Sequence, residues 1–217
     1  SKSKITLELL VTDQPKKDDT HDPNSHFWST ANKVNVKDSR FDKKSKSQVP
    51  VADISNKAMS VNLDSCIHCN LCVRACREVQ VNDVIGMGMR GHSSKVIFDF
   101  DDPMGESTCV SCGECVQACP TGALMESSLL DEYGKHKGEP DREVDSLCPY
   151  CGVGCQLTFK IKDEKIVSAV GRDGPANNNR LCVKGRFGFD YIHNPERITK
   201  PLIRKNGIKK DPTERVN

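Results

Sequence analysis

Twelve cysteines fall into three sets of four, and no other feature limits this chain so strongly. Cys66, Cys69, Cys72 and Cys76 follow the spacing C-x2-C-x2-C-x3-C. Cys109, Cys112, Cys115 and Cys119 repeat it, each 43 residues beyond its counterpart, and Pro120 follows. The third set is Cys148, Cys151 and Cys155 in C-x2-C-x3-C, joined by Cys182 after 26 intervening residues. Only 11 of the 217 residues are aromatic, so something other than a large apolar core must organise the fold. The apolar run from Ile5 to Val11 is too short for a secretory signal and has no small-residue cleavage site. That points to a cytoplasmic chain, where thiols stay reduced and disulfides are not the use of these cysteines.

Three thiolates within seven residues can wrap three corners of a cube of iron and sulfide, with the fourth ligand coming from elsewhere. In two-cluster ferredoxins the last cysteine of each run serves the other cluster. That rule gives cluster 1 to Cys66, Cys69, Cys72 and Cys119, and cluster 2 to Cys109, Cys112, Cys115 and Cys76. Structural zinc takes cysteines as separated pairs, which fits the first eight poorly. His68 lies inside the first run as a neighbour of the cluster, not a ligand, able to tune it by charge or hydrogen bonding. The third set, with Gly152 and Gly154 in its loop, reads as cluster 3, with a zinc ribbon as the competing reading. Glycine there allows positive φ and close approach of backbone N–H groups to sulfur.

Composition removes other classes. Lys and Arg number 32 against 30 Asp and Glu, so there is no basic excess for nucleic acid. No run of 18 apolar residues exists to span a membrane. Four regions follow: a cysteine-free segment at 1–60, a two-cluster domain at 61–130, a polar linker at 131–145, and a third-cluster module at 146–217. Ile5 to Val11, Ser60 to Leu63 and Lys95 to Phe100 have strand character. Helical turns are expected at Val73 to Val79 and Val116 to Ala118, the second stopped by Pro120. The charged stretch Asp38 to Ser47 reads as a solvated loop. Gly86, Gly88 and Gly91 match G-x-G-x-x-G but lack the strand–turn–helix setting of a dinucleotide site, and read as a glycine-rich turn. Leu157 to Ile161 and Ile166 to Val170 form a hairpin around Lys162 to Lys165.

The motif Cys148-Pro-Tyr-Cys151-Gly-Val-Gly-Cys155, followed by Leu181-Cys182-Val183-Lys184-Gly185-Arg186-Phe187, resembles the N-terminal cluster module of molybdenum/tungsten bis-pterin oxidoreductases, formate dehydrogenase catalytic subunits above all. The run from Cys66 to Gln80 is similar to the ferredoxin-like unit that precedes the pterin domains in their extended forms. The resemblance spans about residues 61–200 and implies an α+β chain: a two-[4Fe-4S] ferredoxin-like domain, then a small β-rich [4Fe-4S] module. It implies Lys184 as a cofactor-binding residue and electron relay between cluster 3 and the pterin. It also implies a Mo or W bis-pterin guanine dinucleotide in the full-length protein and a flavin/NAD-reducing partner subunit. Leu9 to Asp13 resembles the start of a module that holds a further cluster through one His and three Cys. Residues 1–65 contain no cysteine, so that cluster is expected to be absent, with His21 and His26 on the surface. The metal-binding Cys or selenocysteine of the family comes later than Asn217, which lies 35 residues after Cys182, and all twelve cysteines are already assigned. The chain is therefore expected to be the front end of a larger enzyme. A nitrate reductase, a stand-alone ferredoxin-like carrier and a zinc-binding interaction module remain as alternatives.

Overall fold

The structure, a computed structural model, describes residues 2–43 and 50–203. It is a mixture of short helices and short strands. The chain opens with helix α1 (Lys2–Val11), where Ile5 to Val11 had read as a strand. Leu7, Leu10 and Val11 lie at i, i+3 and i+4, and this helical stripe faces a small core of Phe27, Trp28, Ala31 and Val36. Ile5 and Leu9 lie on the opposite face, about half exposed. Over seven residues such an apolar run fits either period, and packing decides. Helix α2 (His26–Lys33) is capped by Ser25, whose hydroxyl accepts the Trp28 N–H at 3.4 Å. The expected solvated loop at Asp38 to Ser47 is mostly exposed as far as Lys43, and the rest of it lies outside the described residues.

The dicluster region is framed by two antiparallel strand pairs. Strand β1 (Met59–Val61) pairs with β4 (Leu124–Glu126), so the region's first and last strands lie side by side. Between them come helix α3 (Leu71–Arg74), continued by a wider turn over Ala75–Val79, strands β2 (Ile85–Gly88) and β3 (Lys95–Phe98), and helix α4 (Glu114–Ala118). Both helices start ahead of the third cysteine of their run. The second stops at Ala118, with Cys119 extended ahead of Pro120, as the proline requires. Gly86 and Gly88 correct the turn reading: they lie within β2, which pairs with β3 in the register Gly86↔Ile97 and Gly88↔Lys95. Only Gly91 begins a turn, at φ +61°. The core here is Met59, Val61, Val73, Val84, Ile85, Val96, Phe98, Met104 and Leu124, interleaved with Cys72, Cys76 and Cys115.

The third module is a three-stranded sheet in the order β5 (Arg142–Leu147), β6 (Gln156–Lys162), β7 (Lys165–Gly171). The β6–β7 hairpin turns at Asp163 and Glu164, both at positive φ, as two-residue hairpins demand. Strand β5 corrects the linker reading: the polar connector ends at Asp141, and Arg142 to Asp145 pair with β6. An exposed edge strand needs no apolar alternation, so REVDSL carried no strand signal. Helix α5 (Val183–Phe187) follows Cys182. No helix among the described residues is long and apolar enough to cross a membrane.

Candidate metal centres

The 43-residue repeat extends to the backbone. His68 and Asn70 adopt φ of +54° and +62°, and their counterparts Ser111 and Gly113 adopt +53° and +77°. These left-handed residues curl each loop so that an N–H faces sulfur. His68 N–H donates to Cys66 Sγ at 3.4 Å, and Ser111 N–H donates to Cys109 Sγ at 3.4 Å. Val84 N–H reaches Cys76 Sγ at 3.4 Å, and the Thr121 hydroxyl lies 3.6 Å from Cys119 Sγ. Donors to sulfur stabilise the anionic charge of a thiolate or cluster. The His68 ring points elsewhere, with Nε2 2.9 Å from the Ser94 carbonyl oxygen.

A cavity with about 370 Å³ of empty space, part of it open to solvent, is lined by Cys66, Cys69, Cys72 and Cys119 together with Ile67 and Thr121. Cys76, the last cysteine of the first run, is not in its wall. Burial pushes the Cys72 thiol up to about 12, helped by the neighbouring Cys119, Cys66 and Cys69. Cys115 is fully buried; that raises its thiol well above the usual range, with Cys112, Cys109, Cys72 and Cys76 adding to it. Cys112 is raised first by burial, and Cys109 and Cys76 contribute. Cys155 is raised first by burial and then by Cys148, Cys151 and Cys182. The thiols thus gather in three neighbourhoods: two within the dicluster region, each with thiols of both runs, and one in the third module. Buried neutral thiols are deprotonated when a metal binds, and the metal's positive charge offsets the desolvation.

Among the described residues, no group of three or more His, Cys, Asp or Glu is gathered as a single metal ion requires. In the third module Cys148 N–H donates to the Cys155 carbonyl at 2.8 Å, closing the loop, and Gly154 sits at φ +67° with open space around it. Gly154→Ala is expected to cost about 1–2 kcal/mol from the left-handed backbone alone, measured as a lower denaturant midpoint for bleaching of visible absorbance. A Cβ on Gly185 would stand 3.5 Å from Cys148 Sγ, so α5 lies directly against this loop. Lys184 is exposed on α5, beside Cys182. His26 is exposed, and the His21 ring is half-buried against the Gly134 carbonyl.

Residues 65–123 match the 4Fe-4S dicluster domain family, and residues 141–194 match the molybdopterin oxidoreductase Fe4S4 domain family. The chain carries these two iron–sulfur domains in tandem. A protein of Staphylococcus haemolyticus named "Putative formate dehydrogenase" is 34% identical over 66% of this chain and 18% of its own length. A protein of the same name from Staphylococcus aureus strain USA300 is 35% identical over the same shares. The chain thus spans about a fifth of the length of these curated relatives. Its fold resembles that of a chain in the crystal structure of an NAD+-reducing [NiFe]-hydrogenase in the H2-reduced state. The TM-score is 0.50 and the identity 21%, covering 61% of this chain and 58% of that one.

Sequence reasoning missed four groups. Gln14 donates to the Ser65 carbonyl at 2.7 Å, and Phe27 N–H to the Pro120 carbonyl at 2.9 Å, so the N-terminal segment clamps the first cysteine run to the end of the second. Arg186 and Glu114 form a buried ion pair at 2.6 Å. Glu126 is a buried carboxylate on β4. Charged side chains in a polar sequence read as solvated, and only a tertiary partner reveals them.

Proposed function

We propose that this chain is the electron-transfer arm of a formate dehydrogenase-type molybdenum or tungsten oxidoreductase, holding three [4Fe-4S] clusters. In this reading Cys66, Cys69, Cys72 and Cys119 hold the first cluster and Cys109, Cys112, Cys115 and Cys76 the second. Cys148, Cys151, Cys155 and Cys182 hold the third. The observation that carries the reading is the cavity walled by three thiols of one run and the last thiol of the other. When bound, each cluster supplies one-electron redox chemistry without bond making at the protein. The chain's own residues do the rest. Burial at Cys72, Cys76 and Cys115 excludes water, and the N–H···S bonds at Cys66, Cys76 and Cys109 favour the added negative charge of the reduced state. Lys184 offers a cation near Cys182, which favours reduction electrostatically.

The two domain families and the formate dehydrogenase relatives support placing the arm between a pterin centre, where formate would be oxidised to carbon dioxide, and a flavin/NAD-reducing partner. Anaerobically purified full-length protein is expected to contain about twelve irons and about twelve labile sulfides per chain, and to reduce an acceptor when given formate. Zinc without labile sulfide would sink the cluster reading. Full iron content with nitrate-dependent oxidation, and no formate activity, would replace the substrate.

A further inference from the structure

The two iron–sulfur domains meet at a buried polar joint centred on Arg186. This arginine lies in α5, four residues after Cys182, and its side chain is only 1% exposed. Its Nη2 donates to Glu114 Oε1 at 2.6 Å, its Nη1 to Gln117 Oε1 at 3.0 Å and its Nε to the Cys112 carbonyl at 2.9 Å. The opposite partners add two more bonds. Glu114 Oε1 accepts the Leu181 N–H at 3.2 Å, and Gln117 Nε2 donates to the Asn179 carbonyl at 3.0 Å. All five bonds join the segment Asn179–Arg186, which carries Cys182, to the segment Cys112–Gln117, which carries Cys112 and Cys115. Gly113, at φ +77°, leaves the room that the Arg186 stem and the Phe187 ring occupy.

A buried ion pair is a poor source of stability, because desolvation consumes most of the Coulomb gain and an apolar contact would hold two domains as well. What the arginine adds is geometry. A planar fork that satisfies three acceptors at once fixes both the separation and the rotation of the two segments, where an apolar interface would allow sliding. Electron transfer between fixed centres falls off steeply with distance and favours bonded paths over gaps. From Cys182 the path here is one turn of α5, the Arg186 side chain and a single N–H···O bond to the Cys112 carbonyl.

We infer that Arg186 is a positioning residue for electron transfer between the cluster of the third module and the cluster of the second cysteine run, locking the Cys182 loop onto the Cys112 loop. This rests on the ligand sets proposed above. It makes the second-run cluster the neighbour of the third, with the first-run cluster beyond it.

The test uses the full-length protein, purified anaerobically, with Arg186→Met and Arg186→Lys. Iron content, the spin–spin interaction between reduced clusters and the rate of intercluster transfer after rapid reduction are measured. Arg186→Met is expected to keep its full iron, weaken the interaction between the third and second clusters, and slow transfer between them roughly 10–100-fold, the range for loss of an outer-shell partner. The interaction between the paired clusters should stay unchanged. Arg186→Lys, which keeps the charge and can reach only part of the fork, should fall between. If Arg186→Met fails to assemble, the lysine variant alone decides. Full iron with unaltered interaction and rate in the variants overturns the positioning role. A parent protein short of three clusters overturns the ligand sets, and the inference with them.

Discussion

Replacing Cys119 by serine is expected to remove the cluster of the first cysteine run and to spare that of the run to which Cys119 belongs. Cys119 lines the cavity together with Cys66, Cys69 and Cys72, and it is the first of the thiols that add to the burial effect on Cys72. A serine hydroxyl keeps the shape but stays protonated at neutral pH, so the set loses one of four anionic ligands. Iron is expected to fall from about twelve to about eight per chain, with one of three cluster signals lost by electron paramagnetic resonance. Cys66→Ser should give the same spectrum, and Cys76→Ser the complementary one, matching Cys109→Ser. If Cys119→Ser instead reproduces Cys109→Ser, each run serves its own cluster and the exchange is wrong. Under the proposed exchange of fourth ligands, losing either cluster also frees a tether between the halves of the domain.

The second large effect is set by pH at Glu126. This carboxylate ends β4, where burial raises its pKa from the usual 4.5 to about 7, although the Ser168 hydroxyl on β7 and the charges of Arg186 and Lys160 pull the other way. Its Oε2 has no hydrogen-bond partner among the described residues. Between those two values the folded protein holds a proton that the unfolded chain has released, so stability is fully present below about pH 4.5 and is lost as pH rises through about 7. A shift of that size amounts to about 3 kcal/mol at pH 8, from about 1.4 kcal/mol per pH unit. Glu126→Gln removes the titration and should flatten the profile. It should bleach more slowly than the parent in denaturant at pH 8, with the gap closing as pH falls toward 4.5. A difference between the two proteins that does not change with pH would remove Glu126 as the cause.

The cluster-binding half of the molecule was legible because its chemistry is local. A C-x2-C-x2-C loop can hardly be read as anything but a thiolate wrap, and Pro120 marks the end of α4 by sterics alone. The hairpin from Gln156 to Gly171 announced itself by alternation around Asp163 and Glu164. What failed depended on partners far along the chain. Helix α1 needed the Trp28 core to settle its period, and β5 needed β6, since nothing in REVDSL alternates. Arg186 carries no sequence signal of its own, because its three acceptors lie about seventy residues earlier in the chain.

The pairing of β1 with β4 has a consequence for how such chains are put together. Asn62 N–H meets the Ala123 carbonyl at 2.7 Å, so the polypeptide enters and leaves the dicluster region at almost the same point. A unit with adjoining ends can be spliced into a longer chain, or excised from it, without stretching what lies on either side. Geometrically it is a cassette. Lengthening a redox chain by two centres then needs one insertion of about sixty residues, matching the span 65–123, with the flanking contacts at Gln14, Phe27 and Arg186 left to fix its orientation.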